Sequence, residues 1–428
     1  MTALAGRLPT TQLFSQLRDA LSGLVPDPKR RSKSTGVDGW YPYYAGFSSD
    51  FAHAALRAVP LDAQVLDPWN GSGTTTTAAT RLGLSSTGID LNPFACLIAQ
   101  AKGASFATTA DALSFGDKIV DGAKAVNPHP DLKKWMPATV AQAFESLAAS
   151  ALKSGISDWP PSPQQSFVLL CLIRATRILS PPKGGSNPTW FRPPSRRKPA
   201  RRELKEVFLE TIGELAGNGM SASNPACSVA IRLGDSRHLP IDASTIDVVL
   251  TSPPYCTRID YAASTAFELA CLQAIAAVGD VAALRRDLMG TTKIRDREPK
   301  PVPDEWAHGV KRLLDAIRSH SSYASSGYYF KNFLQYFSDA NAALAEMSRV
   351  LKRGGVAAIV LQTSFYKEIL VDLPDLYTEM AALHCMDGEV VVRRALPSSR
   401  VMASLNPKTR TAKVPRRYEE SVLLLEKP

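Results

Sequence analysis

An apolar run that ends in two prolines constrains the fold more than any other stretch. Residues 246–250 (IDVVL) are mostly aliphatic, and residues 251–255 (TSPPY) follow them directly. Proline donates no backbone hydrogen bond and fixes its own φ angle, so a strand cannot continue through Pro253 and Pro254. The run therefore predicts a buried parallel strand whose last residues face the edge of an α/β sheet, where ligands bind.

The residues at this strand end suit a planar group that carries an amine. Ser252 offers a hydroxyl group, Pro253 a carbonyl oxygen, and Tyr255 an aromatic ring that can stack. The motif alone is also compatible with an ordinary strand followed by a Pro-Pro turn. The other predicted strand ends are needed to decide between these interpretations.

A second segment combines a strand, a glycine-rich turn and a helix start. Residues 65–67 end in Asp67, and the turn that follows carries Gly71 and Gly73 before a helix that we expect from Thr76 to Leu82. Glycines allow a backbone to approach a ligand closely, and a helix start offers free N–H groups. The spacing matches neither a dinucleotide site nor a phosphate-binding loop, so phosphate binding is not favoured.

Acidic residues end two further predicted strands. Asp90 follows the glycine turn by about twenty residues, the spacing at which a carboxylate meets ribose hydroxyls. Asp235 ends the strand predicted at residues 228–233. Together with Asp67 and Ser252, these residues predict one line of polar side chains along one edge of the sheet.

The intervening segments read mainly as helices. Residues 104–226 lack strand periodicity and predict helical blocks at 138–152, 164–179 and 203–215. Other expected elements are a helix within 8–24, a helix capped by Ser48, one helix over 262–277, a helix from Tyr328 that ends at a Gly354-Gly355 C-cap, and strands at 356–361, 389–392 and 421–425. The predicted organisation is an N-terminal helix and basic linker (1–36), a first core part (37–103), a helical insertion and candidate target-recognition domain (104–226), and a second, catalytic core part (227–428) with mobile loops or a smaller insertion near 280–326.

Basic charge points to a polyanionic partner. The net charge is +10 and the sequence pI about 9.3. One basic run beside Trp190 and Phe191 has no acid before Glu203 and fits phosphate contacts and base stacking, although such runs are usually solvated faces. The candidate DNA-binding residues in this run, near the Pro-Pro motif and in a second basic loop are Arg192, Arg196, Arg197, Lys198, Arg201, Arg202, Arg258, Arg400, Lys408 and Arg410.

Cysteine and histidine usage argues against metal and disulfide chemistry. The six cysteines and six histidines show no ligand spacing, so we expect free thiols in a reducing compartment and no metal. No stretch approaches a membrane span and the N-terminus lacks a signal pattern, so the prediction is a cytoplasmic protein without a membrane partner.

The ordered motifs resemble S-adenosylmethionine-dependent amino-methyltransferases of DNA, which modify an exocyclic amine of cytosine or adenine. The matching segments are 67–74 (DPWNGSGT), Asp90, Gly234-Asp235 and 252–255 (SPPY), with Trp69 where the family has Phe. The resemblance implies a Rossmann-like sheet of seven strands with flanking helices, S-adenosylmethionine as cofactor and double-stranded DNA as substrate. It assigns catalysis to Ser252, Pro253, Pro254 and Tyr255, and cofactor binding to Asp67, Pro68, Trp69, Asn70, Gly71, Ser72, Gly73, Thr74, Asp90, Leu91, Asp235, Ser236 and Thr251.

In the family the glycine turn embraces the methionine part, the acid of the second strand takes the ribose hydroxyls and Asp235 lies near the adenine. The target base is flipped out of the duplex and stacks on Tyr255. Ser before Pro-Pro leans toward cytosine N4, and adenine N6 is the alternative. A cognate restriction endonuclease or another defence system is a candidate partner.

Other interpretations are weaker. Attack of a Cys256 thiolate on ring carbon six of cytosine, which would lead to methylation of carbon five, would need the cysteine directly after the proline, where this chain has Tyr255. Methylation of structured RNA would share the strand layout, but no separate RNA-binding module is evident. A non-catalytic DNA-binding subunit could retain the fold, but the intact motifs argue against it, and a cofactor titration would discriminate.

Overall fold

The computed structural model describes residues 11–22, 36–43, 47–153, 158–184, 191–194, 202–219, 227–256, 260–276, 278, 280–295, 301–396 and 417–428. The strands are β1 Gln64–Asp67, β2 Ser85–Asp90, β3 Lys183–Gly184, β4 Phe191–Arg192, β5 Val229–Leu233, β6 Ile246–Thr251, β7 Leu351–Gln362, β8 Ser364–Tyr366, β9 Ile369–Val371, β10 Asp387–Ala395 and β11 Glu419–Glu426. The α-helices are α1 Gln12–Ser22, α2 Ser49–Leu56, α3 Thr74–Leu82, α4 Pro93–Ala101, α5 Thr109–Gly122, α6 Leu132–Trp135, α7 Ala138–Ala151, α8 Pro163–Leu179, α9 Leu204–Gly217, α10 Tyr261–Ser264, α11 Ala266–Ile275, α12 Val281–Asp287, α13 His308–Ser319, α14 Phe330–Val350 and α15 Leu373–Ala382.

One sheet of seven strands organises the chain, in the order β10-β11-β7-β6-β1-β2-β5. The pairs from β7 through β6, β1 and β2 to β5 are parallel, and β11 runs antiparallel to both of its neighbours. Helices cover both faces. The expected fold class, a Rossmann-like methyltransferase sheet with flanking helices, is confirmed.

Alternating side chains divide the sheet between two cores. Val65, Val248 and Val356 pack with α1, α2 and α3 on one face. The residues that follow each of them, Leu66, Val249 and Ala357, pack with α13, α14 and α15 on the other. This alternation follows from the two-residue period of a strand, and it buries both faces as expected for a parallel sheet.

The segment 104–226 is mainly helical, as predicted. The three expected blocks occur as α7, α8 and α9. Phe144 of α7 and Phe167 of α8 lie in one hydrophobic cluster with Phe94 of α4, which follows β2. The helices of this segment therefore share a hydrophobic core with α4, which belongs to the first core part (37–103). The proposed domain boundaries stay a prediction.

The N-terminal elements also agree with the sequence. Helix α1 buries Phe14, Leu17 and Leu21, and Ser48 caps α2 by accepting a hydrogen bond from the Phe51 N–H. The linker proposed before residue 36 lies largely outside the described residues.

Two local predictions were wrong. The Gly354-Gly355 C-cap does not occur, because α14 ends at Val350 and β7 begins at once, with Gly354 N–H donating to Lys427 O (2.7 Å) beside β11. The helix expected over 262–277 breaks at Thr265 into α10 and α11. The region near 280–326 was expected to form mobile loops or a smaller insertion. It contains the helices α12 and α13, and α13 buries Leu314 and Ile317 in the α14 core, whereas the insertion stays a prediction.

Candidate active site

Four polar residues end neighbouring strands at one edge of the sheet. Ser252 follows β6, Asp67 ends β1, Asp90 ends β2, and Asp235 follows β5 after one glycine. Because β6, β1, β2 and β5 are adjacent and parallel, their carboxyl ends meet at the same edge. The predicted line of polar side chains is confirmed by this topology.

The glycine turn connects β1 to α3 and contacts β2. Gly71 N–H donates to Asp90 Oδ2 (2.8 Å), and Asn70 N–H donates to Ile89 O (3.0 Å). Gly73 caps α3 with φ +82°, and a Cβ there would lie 2.8 Å from Ala99 Cβ. Glycine is therefore required at 73 by its left-handed backbone and by close packing on α4, rather than by approach to a ligand as we expected.

Asp67 joins the glycine turn to the strand that carries Ser252. Its carboxylate is buried, and it accepts hydrogen bonds from Thr75 Oγ1 (2.6 Å), Thr251 Oγ1 (2.6 Å) and Trp69 N–H (3.1 Å). Burial raises its pKa to about 6 against the opposing effect of these donors. Asp67 therefore fixes the position of the glycine turn through these hydrogen bonds, and it is too deeply buried to contact a ligand.

Asp90 is the carboxylate that remains accessible. The residue is partly exposed, and its two carboxylate oxygens accept one backbone N–H each, from Gly71 and from Asn92 (both 2.8 Å). Burial raises the pKa of Asp90 to about 6, and the two N–H donors lower it. A carboxylate has about four acceptor sites, so Asp90 can accept two further hydrogen bonds, as a ribose diol requires.

The remaining cofactor candidates divide by exposure. Trp69, Gly71, Ser72, Leu91 and Asp235 are partly exposed at this edge and are available to contact a ligand. The buried candidates, which shape the turn and the strand ends instead, are Pro68, Asn70, Gly73, Thr74, Ser236 and Thr251.

Asp235 is engaged by an arginine two residues further on. Arg237 Nη2 contacts Asp235 Oδ2 at 2.6 Å, and Arg237 Nη1 contacts Asp339 Oδ1 of α14 at 2.9 Å. The Asp235 side chain keeps 22% of its surface exposed. The carboxylate is therefore fixed in orientation at the end of β5 while one side of it stays open.

Tyr43 is a site residue that the sequence did not reveal. A Cβ on Gly71 would lie 3.4 Å from the Tyr43 ring, and burial, followed by the nearby Asp90 charge, raises the pKa of Tyr43 well above its usual range. The neighbouring Trp40 and Tyr41 are buried in the core. No local signal distinguishes Tyr43 from them, because its contact with the turn is tertiary.

The catalytic motif follows β6 and is partly open. Ser252 is partly exposed, and its single hydroxyl proton has two acceptors within reach, Val360 O (3.3 Å) and Tyr255 Oη (3.4 Å). Pro253 and Tyr255 are buried, with 7% of Tyr255 exposed, and Pro254 is partly exposed. The Ser252 hydroxyl can therefore be reached, whereas stacking of a base on Tyr255 stays a prediction.

Segments that are distant in the sequence contact the catalytic motif at residues 252–255 and the start of α10. Tyr336 Oη donates to Pro254 O (2.9 Å), and a Cβ on Gly290, which has φ +74°, would lie 3.3 Å from Tyr255 O. Arg285 of α12 pairs with the buried Asp260, at the start of α10. The segment around residues 285–295, which we expected to form mobile loops or part of a smaller insertion, therefore contacts the catalytic turn and the start of α10.

The basic candidates are only partly described. Arg196, Arg197, Lys198, Arg201, Arg258, Arg400, Lys408 and Arg410 lie outside the described residues. Arg192 is exposed and is the cross-strand partner of the exposed Lys183 in the β3–β4 hairpin. Arg202 differs from the expectation of an unpaired charge, because it pairs with Glu210 of α9.

The aromatic residue beside this run also has a protein partner. The Arg177 guanidinium lies over the Phe191 ring, 4.6 Å from its centroid. Arg177 also pairs with the fully buried Glu268 of α11. Phe191 therefore joins the hairpin to the helix that follows the catalytic turn, and the base stacking proposed for it has a competing contact.

Within the described part of the chain, no group of His, Cys, Asp or Glu could hold a metal ion. No described helix is long and apolar enough to cross a membrane. The six cysteines all lie in this part and are free thiols, and Cys256 packs as a small buried residue in the core, as expected.

Comparison with known proteins identifies two relatives by sequence. The type II methyltransferase M.BsoBI of Geobacillus stearothermophilus is 27% identical over 276 residues, which are 56% of this chain and 53% of that protein. The type II methyltransferase M.MjaII of Methanocaldococcus jannaschii is 39% identical over 75 residues, which are 17% of this chain and 14% of that protein. The chain thus matches only about half the length of the first relative. No family model matches the chain.

Solved structures resemble the chain weakly. A geranyl diphosphate methyltransferase in complex with GPP and sinefungin has a TM-score of 0.32 and 7% identity, over 89% of this chain and 78% of that one. The geranyl diphosphate C-methyltransferase of Streptomyces coelicolor A3(2) has a TM-score of 0.29 and 8% identity, over 98% and 100%. Similarity this low does not indicate a shared substrate.

Proposed function

We propose that the protein is an S-adenosylmethionine-dependent DNA methyltransferase that modifies an exocyclic amine, with cytosine N4 as the favoured target. The observation that carries this proposal is the connection of two strand ends. Asp67 accepts hydrogen bonds from Thr251, directly before the partly exposed Ser252, and from Trp69 and Thr75, which flank the glycine turn. A nucleophile-activating hydroxyl and a turn suited to a cofactor are thereby held beside each other.

The partly exposed residues fit S-adenosylmethionine. Asp90 retains acceptor capacity for ribose hydroxyls, Trp69 and Ser72 border the turn, and the open side of Asp235 suits an exocyclic amine of adenine. When bound, the cofactor supplies an electrophilic methyl group on sulfonium. The relatives named as type II methyltransferases support the same reaction class.

Ser252 and Pro253 would activate the target amine. The lone pair of such an amine is delocalised into the ring, so the nitrogen is a weak nucleophile while it stays planar. Ser252 Oγ and the Pro253 carbonyl would accept its N–H groups, favour a pyramidal nitrogen and stabilise the positive charge that develops there. This edge of the sheet would also align the amine nitrogen with the methyl group of the cofactor, which favours transfer by proximity.

DNA as substrate is supported by charge. The net charge of +10 and the exposed Lys183–Arg192 pair favour a polyanion, and a base inside a duplex must be flipped out to reach Ser252. A cognate restriction endonuclease, or another defence system, stays a proposed partner on the basis of the resemblance.

Mass detection of nucleosides tests the proposal. DNA is incubated with the protein and deuteromethyl-labelled cofactor and digested to nucleosides. We expect labelled N4-methylcytosine. Labelled N6-methyladenine would overturn the choice of base and keep the enzyme class, whereas cofactor binding without any labelled nucleoside would favour the non-catalytic subunit.

A further inference from the structure

A chain of hydrogen bonds leads from Ser252 into the protein interior. Ser252 Oγ donates to Tyr255 Oη (3.4 Å), and Tyr255 Oη donates to Glu420 Oε1 (3.5 Å). Glu420 lies on β11 and is 2% exposed, and Tyr255 is 7% exposed. A carboxylate from a distant strand therefore lies behind the catalytic motif, where the sequence motifs gave no reason to expect one.

The Glu420 carboxylate sets the donor-to-acceptor direction of the hydrogen bonds that link Ser252, Tyr255 and Glu420. Tyr255 Oη is the donor to Glu420 Oε1, which is the direction that an ionised Glu420 requires, because a carboxylate can only accept hydrogen bonds. Tyr255 Oη then accepts from Ser252, whose single proton points inward and whose lone pairs are left for the solvent side. Burial, and next the Glu420 charge, raise the pKa of Tyr255 well above its usual range, so the phenol remains a donor.

We propose that Glu420 is a positioning residue for methyl transfer, which acts through Tyr255 to keep Ser252 an acceptor for the amine of the target base. This inference rests on the proposed function. If Ser252 turned its proton outward, it would oppose the N–H of the amine. Val360 O, at 3.3 Å, is a second inward acceptor for the Ser252 proton, so Glu420 biases this orientation together with the backbone.

The reaction balances without a change of protonation at these residues. The amine nitrogen forms a bond to the methyl carbon, and the methyl–sulfur bond breaks with its electron pair left on sulfur. The nitrogen, now positively charged, loses one N–H proton to water. Glu420 and Tyr255 keep their protonation states throughout, and they act on the direction of the Ser252 hydrogen bond.

Glu426 provides a matched control on the same strand. It is also buried, 9% exposed, and its Oε1 accepts the Thr11 N–H at 2.8 Å. Its partner belongs to the N-terminal segment before α1, so it lies outside the hydrogen-bond chain of Ser252. Glu426→Gln therefore removes a buried carboxylate from β11 without touching the catalytic motif.

The test compares single-turnover methyl transfer and cofactor affinity in wild type, Glu420→Gln, Tyr255→Phe, the double variant and Glu426→Gln. We expect Glu420→Gln and Tyr255→Phe each to lower the transfer rate about 10- to 100-fold. The dissociation constant for S-adenosylmethionine should stay within about twofold, which also shows that the variants are folded. Because Glu420 acts through Tyr255, the double variant should be no slower than Tyr255→Phe alone.

Three outcomes would overturn the inference. These are a Glu420→Gln rate within twofold of wild type, losses that multiply in the double variant, or an equal loss in Glu426→Gln. If Glu420→Gln does not fold, Tyr255→Phe decides alone, and a rate within twofold of wild type overturns the hydrogen-bond chain. Absence of transfer by wild type itself would instead overturn the proposed function and, with it, this inference.

Discussion

The two sides of the site differ in how tightly their polar groups are held. On the cofactor side, Asp67 and Asp90 accept hydrogen bonds of 2.6–3.1 Å from residues of the turn and the strand ends. On the target side, Ser252 makes only contacts of 3.3 and 3.4 Å in the described structure. We infer that the cofactor side is formed in advance, whereas Ser252 is held by longer contacts and offers its lone pairs to a substrate.

The two sides also differ in how they are assembled. The cofactor side comes mainly from one continuous segment, β1 to the start of α4. The target side combines the residues after β6 with Gly290, Tyr336 and Glu420 from distant parts of the chain. Changes on the target side should therefore affect transfer, and changes on the cofactor side should affect binding.

The largest expected effect comes from Ser252→Ala. Loss of the acceptor should reduce single-turnover methyl transfer at least about 100-fold, as for removal of one group that stabilises developing charge. Cofactor affinity, measured by calorimetry, should change less than twofold. Ser348→Ala, which removes a remote hydroxyl bonded to His384 O (2.7 Å), serves as control. Equal activity of Ser252→Ala and wild type would remove Ser252 from the mechanism.

Asp67→Asn should affect both sides at once. Asparagine offers one oxygen where three donors converge, so at least one threonine hydroxyl loses its bond to residue 67, and, among the described residues, only Thr75 Oγ1 has a second acceptor close by, Leu250 O at 3.0 Å. We expect a loss of about 1–3 kcal/mol in the free energy of unfolding and about tenfold weaker cofactor binding. The control is Asp247→Asn, a more exposed carboxylate paired with Lys352, which should cost less than about 1 kcal/mol. Equal costs for both variants would contradict the connecting role of Asp67.

A smaller effect than those of the two substitutions is expected from pH. The affinity for S-adenosylmethionine should rise several-fold between pH 5.5 and pH 7. The pKa of Asp90 is raised to about 6, and the ionised form is the better acceptor for ribose hydroxyls. Titrations at several pH values measure this, and Asp90→Asn should flatten the rise. A profile that stays flat in wild type would contradict the role of Asp90.

The raised pKa values of Asp67 and Asp90 also affect the free energy of unfolding. Their contribution to stability falls as the pH rises, whereas cofactor binding should increase. Asp67 and Asp90 have pKa values of about 6 in the native state, above the unfolded value of about 3.9. The native state therefore binds more protons between these values, and the contribution of these groups to stability falls as the pH rises from about 4 to 6. Denaturant titrations of Asp67→Asn should show less of this decline than wild type.

The smallest effect is expected on DNA binding, from an exposed arginine outside the edge of the sheet that carries Ser252 and Asp90. Charge reversal of Arg192 should weaken DNA binding and lower the slope of log affinity against log salt by about one. Arg202→Gln is the matched control, because its guanidinium already pairs with Glu210 and should contribute little to the slope. Equal slopes for wild type and the Arg192 variant would exclude the β3–β4 hairpin from the DNA interface.

Local patterns predicted most of the scaffold. Apolar runs predicted the central strands, Ser48 predicted a helix start, and the Asp67 and Asp90 segments predicted the ends of β1 and β2. Such features depend on neighbours within a few residues, which a sequence displays directly. The seven-stranded sheet was implied by the family resemblance that these motifs carry.

Contacts between distant segments could not be predicted. Tyr43 at the glycine turn, Gly290 beneath Tyr255, and Glu420 behind it are defined by tertiary packing, and no local pattern marks them. The Gly354-Gly355 prediction failed for the same reason, because pairing with the end of β11 draws both glycines into β7.

Calorimetric titration of S-adenosylmethionine into DNA-free protein tests most directly whether the cofactor side is formed in advance. We expect one site in wild type, and binding weakened about 10- to 100-fold in Asp90→Ala, the loss typical of hydrogen bonds to a charged group. Failure of wild type to bind without DNA, or equal binding by Asp90→Ala, would contradict this account.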